Sequence, residues 1–147
     1  MKGQKTYLQA KAINEKLYNQ YGHFSEIEKA ELYRMYFNLL KKSAHLGHIE
    51  SQYDYAQQFE NISFLGVENP IYNPKKSIFW YTKACNSGHA EACNNLAHLY
   101  EKGEGCEKDL NISLKLYKQS AVLGSPNGEK NYKIMIQDLD KGGKYNK

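Results

Sequence analysis

The sequence predicts an all-α fold, an αα-superhelix (solenoid) of about seven helices. Three features point there. A glycine-anchored pattern repeats along the chain, apolar residues within each copy recur at helical spacing, and capping residues punctuate the copies where helices begin and end.

Leu-Lys-Lys-Ser-Ala-His-Leu-Gly ends at Gly47, Tyr-Thr-Lys-Ala-Cys-Asn-Ser-Gly at Gly88 and Tyr-Lys-Gln-Ser-Ala-Val-Leu-Gly at Gly124, so the glycines lie 41 and 36 residues apart. A large apolar residue stands seven positions before each glycine (Leu40, Tyr81, Tyr117) and another twelve after (Phe59, Tyr100, Ile136). The unit is about 36 residues, and one copy carries a five-residue insertion between Phe59 and Asn73. Within a unit, Ser77, Trp80, Tyr81, Ala84 and Cys85 follow i, i+3, i+4, i+7, i+8, as do Ala92, Cys93, Leu96, Ala97 and Tyr100 with one position shifted. Each unit therefore reads helix, glycine, helix. Asn73-Pro74 and Ser125-Pro126 pair an N-cap with proline at the first helical position, and Ser25-Glu26-Ile27-Glu28 is a capping box. Gly22, Gly47, Gly88 and Gly124 stand where a helix end wants a left-handed residue. The expected helices are 5–20, 25–46, 48–60, 74–87, 89–101, 110–123 and 126–139.

A helix pair of this size cannot bury its apolar stripe by itself, but stacked pairs can. The expected organisation is a capping helix in residues 1–24, three helix pairs in 25–140 and a flexible tail in 141–147. Trp80 and Tyr81 belong to the expected core.

Composition narrows the function classes. The chain has 147 residues, 41% hydrophobic, which suits one globular domain. No apolar run approaches the roughly 18 residues of a membrane-spanning helix, so no membrane is expected. The start, Met1 to Thr6, is charged and no apolar run follows it, so no secretory leader is expected. The location is read as cytoplasmic, with secreted or periplasmic as the alternative if a leader was removed. Net charge is +4, a mild bias far from that of a histone-like nucleic-acid binder. Three cysteines are too few for a disulfide scaffold.

The segment from Trp80 to Leu110 resembles the Sel-1-like repeat, a relative of the tetratricopeptide repeat. The residues that carry the resemblance are Lys76, Trp80-Tyr81, Lys83-Ala84, Gly88, Ala92, Leu96, Tyr100, Gly103-x-Gly105 and Asp109. The next unit keeps Asp109, Tyr117, Ala121 and Gly124; the first has Leu40 in place of tyrosine and no Gly-x-Gly. About 110 residues are covered, from roughly Leu32 onward. Ala84-Cys85 with Ala92-Cys93-Asn94-Asn95-Leu96 looks like the cysteine-rich secreted branch of the family, in which cysteine pairs staple the two helices of each repeat. Only one unit here has the pair; the matching positions are Ala44 and Gln52, and Ala121 and Glu129. Cys85 and Cys93 by themselves read as two small buried thiols. The resemblance implies a disulfide, which a cytosolic location would oppose, and both readings stand. Cys106 occupies a valine position of the family and is expected to be buried and inert.

Candidate chemistry is thin. Cys85, His89 and Cys93 fall at four-residue steps, but Gly88 breaks the helix that would align them as zinc ligands, so no metal is expected. His45 and His48 read as solvated turn residues. There is no nucleophile elbow, no phosphate-binding loop, no dinucleotide fingerprint and no Ser-x-x-Lys. No enzyme activity and no cofactor are expected.

The wheel of each unit's first helix is more informative. Opposite the core positions lie Arg34, Asn38, Lys41 and His45 in the first unit. In the second they are Lys75, Phe79, Thr82 and Asn86, and in the third Asn111, Lys115, Lys118 and Val122. This stripe carries five Lys or Arg and no acidic residue, and Phe79 is an aromatic that the repeat does not require. In related solenoids this helix lines the concave surface. The expected function is therefore non-catalytic protein–protein interaction by a small bacterial solenoid. It would be an adaptor or a toxin-neutralising immunity protein, docking an acidic partner on a basic concave face. Nucleic-acid binding ranks last, because no aromatic-rich reader is present. The alternative, implied by the cysteine-rich resemblance, is a secreted, disulfide-stapled protein that binds or hydrolyses peptidoglycan or β-lactams.

Overall fold

Side-chain caps set where most helices of this computed structural model begin; the structure is described for residues 1–61 and 69–143. Most of the expected insertion and the last four residues of the tail lie outside the described residues. Ser25 Oγ accepts from the Glu28 N–H at 3.3 Å while Glu28 Oε2 accepts from the Ser25 N–H at 2.8 Å, completing the capping box. Asn73, Asp109 and Ser125 each accept from an N–H one turn on. The fold is all-α, of the αα-superhelix class. Its helices are α1 (Gln4–Asn19), α2 (Glu26–His45), α3 (Ile49–Gln57), α4 (Pro74–Asn86), α5 (Ala90–Lys102), α6 (Leu110–Val122) and α7 (Pro126–Asp140). Gly47, Gly88 and Gly124 all have φ near +90°, as the repeat requires.

Gly22 departs from expectation. Helix α1 ends at Asn19, and a single 3-10 turn over Tyr21–His23 follows, with Gly22 inside it and not at positive φ. The His23 N–H to Gln20 carbonyl bond of that turn closes the end without a left-handed residue.

The chain gathers into two compact bodies, Met1–Tyr55 and Ala56–Lys147. In the first, α1 packs along α2. Ala10, Tyr36, Leu40 and Ala44 are buried between them and the start of α3, with Tyr55 beside Phe37. In the second, Trp80, Tyr81, Leu96, Ala97, Tyr117 and Met135 form the core. The two largest fully buried side chains are tyrosines whose hydroxyls find carboxylates: Tyr81 donates to Glu60 at 2.5 Å and Tyr117 to Glu101 at 2.7 Å. A buried phenol without such a partner would be costly. In the last unit Met135 is fully buried and the neighbouring Ile136, expected in the core, only half so.

The two helix layers of the second body are spaced differently. Helix α5 packs on α4, α6 and α7, whereas α4 and α6 make no comparable contact with each other. The second helices thus form the closer layer and the first helices the more open one.

Candidate functional site

Asn73 and Asp109 start α4 and α6 and so set the phase in which the stripe residues face outward. In the second body Lys75, Phe79, Asn86, Asn111, Lys115, Lys118 and Val122 are exposed, and Thr82 is half-buried. Phe79 is 54% exposed even though its ring meets the edge of Trp80 at 5.1 Å. The ammonium of Lys83 lies 5.0 Å over the same ring. In the first body Arg34, Asn38, Lys41 and His45 are exposed on α2, with His45 Nδ1 at 2.8 Å from the Lys41 carbonyl. An exposed aromatic beside cations can engage an apolar side chain and a carboxylate together.

Cys85 and Cys93 are bridged, with their α-carbons 4.8 Å apart, which ties the end of α4 to the first turn of α5. Both are buried. The other two units use different chemistry in this slot. Gln52 Nε2 donates to the Ala44 carbonyl at 3.3 Å, and Glu129 pairs with Lys133 at 2.5 Å. Cys106 is half-buried, and burial pushes its thiol up.

The histidines differ most from expectation. His48 is 3% exposed, not solvated. Its Nδ1 accepts from the Ser51 N–H at 3.3 Å, its Nε2 donates to Gln4 Oε1 at 2.8 Å, and the Tyr7 ring packs against it, tilted, at 4.5 Å between centroids. Burial holds its pKa below the usual histidine value. His89 is the N-cap of α5, accepting from the Ala92 N–H at 3.0 Å. Both follow the repeat glycine directly, where Ser125 stands in the third unit, so aligning the three glycines one residue further reveals a capping position. Among the described residues no three His, Cys, Asp or Glu gather as metal ligands.

A groove of about 480 Å³ between α1 and the first turns of α2 has no counterpart in the sequence reading; Leu17, Tyr18, Tyr21 and Tyr33 line it. Its two charges are engaged with each other, Lys29 Nζ with Glu26 at 2.7 Å, and Lys29 also lies 4.0 Å over the Tyr21 ring. No described helix is long and apolar enough to cross a membrane.

Comparison with known proteins places these features. The Sel1 repeat model matches residues 49–89 and 90–125, each match running from a second helix into the following first helix. The rat protein DAP3-binding cell death enhancer 1 is 30% identical over 91 residues, 60% of this chain and 16% of that protein. The putative beta-lactamase HcpE of Helicobacter pylori is 42% identical over 50 residues, 32% of this chain and 14% of that protein. The chain thus spans only about a sixth of the length of these relatives. Among solved structures, a Sel1 repeat protein from Oxalobacter formigenes superposes with a TM-score of 0.61 at 22% identity, covering 76% of this chain and 43% of that one. The Helicobacter pylori cysteine-rich protein B superposes with a TM-score of 0.58 at 19% identity, covering 86% and 89%.

Proposed function

Because the chain belongs to the Sel1 repeat family, we propose that it is a non-catalytic protein-interaction module that docks an acidic protein on the basic face of its first helices. The observation that carries this reading is Phe79, a half-exposed aromatic with a lysine over its ring, on a stripe whose charges are all positive. An adaptor and a toxin-neutralising immunity protein are the two roles that suit such a module. In the second body the face belongs to the more open layer, that of α4 and α6.

The Cys85–Cys93 bridge supports an oxidising compartment, secreted or periplasmic, over the cytoplasm. The β-lactam chemistry of the alternative reading rests on a relative's name. Residues 1–24 act as a cap. Lys5, Gln9 and Ala12 are exposed on α1 at positions where α5 buries Ala92, Leu96 and Leu99, and that supports a water-facing end.

The test is a kinetic titration against a partner captured by pull-down and identified, at two ionic strengths. Charge reversal at Lys75 and Lys115 should slow association and leave folding intact. Phe79→Ala should speed dissociation, by about 2 kcal/mol of binding or more. Normal binding by Phe79→Ala, with loss on substituting the α7 surface, would refute the reading.

A further inference from the structure

In the second body the two helix layers differ in charge as well as in spacing. Helices α4 and α6 hold Lys75, Lys76, Lys83, Lys115 and Lys118 and no Asp or Glu. Helices α5 and α7 hold Glu91, Glu101, Glu129, Asp138 and Asp140 against Lys102, Lys130 and Lys133. The five lysines of the open layer are exposed, and none is ion-paired among the described residues, whereas Lys133 is paired with Glu129. Lys115 and Lys118 stand three residues apart on one helix, a like-charge spacing with no ion pair to either lysine among the described residues. Surfaces that serve only to be solvated intersperse both signs.

We propose that this layer receives an acidic polypeptide segment bearing an apolar side chain, its carboxylates meeting the lysines and its apolar group seating on Phe79. This rests on the interaction-module reading and narrows it to one layer and one partner chemistry. A polypeptide fits better than a single-stranded nucleic acid. Readers of single strands stack successive bases on successive exposed rings. Here Phe79 is the exposed ring, while Trp80, Tyr81 and Tyr117 of the same helices are buried.

The experiment uses three fluorescent probes with the intact chain: poly-L-glutamate, a random glutamate–tyrosine copolymer, and oligothymidylate. Anisotropy titrations are run at low and moderate salt. The copolymer should bind roughly tenfold tighter than polyglutamate, and Phe79→Ala should erase the difference. The double variant Lys115→Glu/Lys118→Glu should weaken both polymers by roughly tenfold, and Lys130→Glu/Lys133→Glu on α7 should leave them within about twofold. Circular dichroism melts of each variant separate lost binding from lost folding. Oligothymidylate binding as tightly as the copolymer, equal loss from the α7 variant, or no response to either polymer overturns the proposal. If the captured protein partner still depends on Phe79 while the polymers are silent, the interaction-module reading survives and only the acidic-segment inference falls. If that partner ignores Phe79 and the lysines as well, both fall.

Discussion

The corner that joins α1 to α2 and α3 in the first body carries hydrogen bonds at the same three places as the corner that joins α5 to α6 and α7 in the second, the third with donor and acceptor exchanged. Ser43 Oγ donates to the Gly3 carbonyl, His48 Nε2 to Gln4 Oε1 and Tyr7 OH to Asp54 Oδ2. In the second body Ser120 Oγ donates to the Ala90 carbonyl, Ser125 Oγ to Glu91, and Asn131 Nδ2 to Asn94 Oδ1. Helix α1 therefore takes the place of a second helix of a repeat, although nothing in residues 1–31 resembles one in sequence. The difference lies in size and charge. The first corner packs two rings and needs a glycine: a Cβ on Gly3, at φ +85°, would lie 2.9 Å from His48 Cβ and from the Ser43 carbonyl oxygen. The second uses small side chains around a carboxylate, leaves room for the Cβ of Ala90, and adds a bond from Asn127 to Glu91. The two corners thus keep their bonds with different side chains and, at one position, a different backbone: Gly3 is a left-handed N-cap, whereas Ala90 is the first residue of α5.

The largest effect should come from the core of the second body. Trp80→Ala should cost about 3–5 kcal/mol, read from a denaturant midpoint. An unchanged midpoint would mean that the buried position is misassigned.

Next comes the staple. Unfolding without reductant should leave one thiol open to a probe, Cys106, and reduction of Cys85–Cys93 should cost roughly 2–3 kcal/mol. The comparison sharpens if the bridge is transplanted. Ala44→Cys with Gln52→Cys also removes Gln52 Oε1, a buried oxygen without a hydrogen-bond partner. The oxidised double variant should melt higher than its reduced form, and an unchanged melt would mean that the two slots differ in backbone.

The corners separate at one glycine. Gly3→Ala should destabilise by about 1–3 kcal/mol, because it adds both strain and a clash. Ala90→Gly, at the matching site, should cost only about 0.5–1 kcal/mol through backbone entropy. Equal and small losses would show that the ring-packed corner yields easily.

The smallest effect concerns pH. Burial raises the Glu60 carboxyl, partly offset by the hydrogen bond from Tyr81, and the nearby Glu104 raises it further. A carboxyl raised in the folded state makes folding bind a proton. Its contribution is therefore largest below the ordinary glutamate range and fades as pH climbs through the raised value. Glu60→Gln should flatten that stretch of the stability–pH curve. An unaltered slope would place the titration elsewhere.

Most helix limits, caps and glycine turns, Gly22 and the His89 cap apart, were legible because each depends on residues three or four apart. Ser25 with Glu28, Asn73 with Lys76 and Asp109 with Ile112 are contacts within one turn. The outward phase of Phe79 and the lysines follows from the same periodicity, so the stripe too could be read from the chain. The sequence by itself thus determined the seven α-helices found among the described residues and the outward side of each unit's first helix. Contacts between distant residues were decided only in three dimensions. His48 is dry because Gln4 and Tyr7, more than forty positions earlier, lie on it. Cys85 and Cys93 were balanced between thiols and a bridge until the turn brought their α-carbons within bonding reach. The spacing of α4 and α6 relative to α5 and α7, which sets the layer that presents the lysines, depends on how whole helices pack, and no local pattern encodes it.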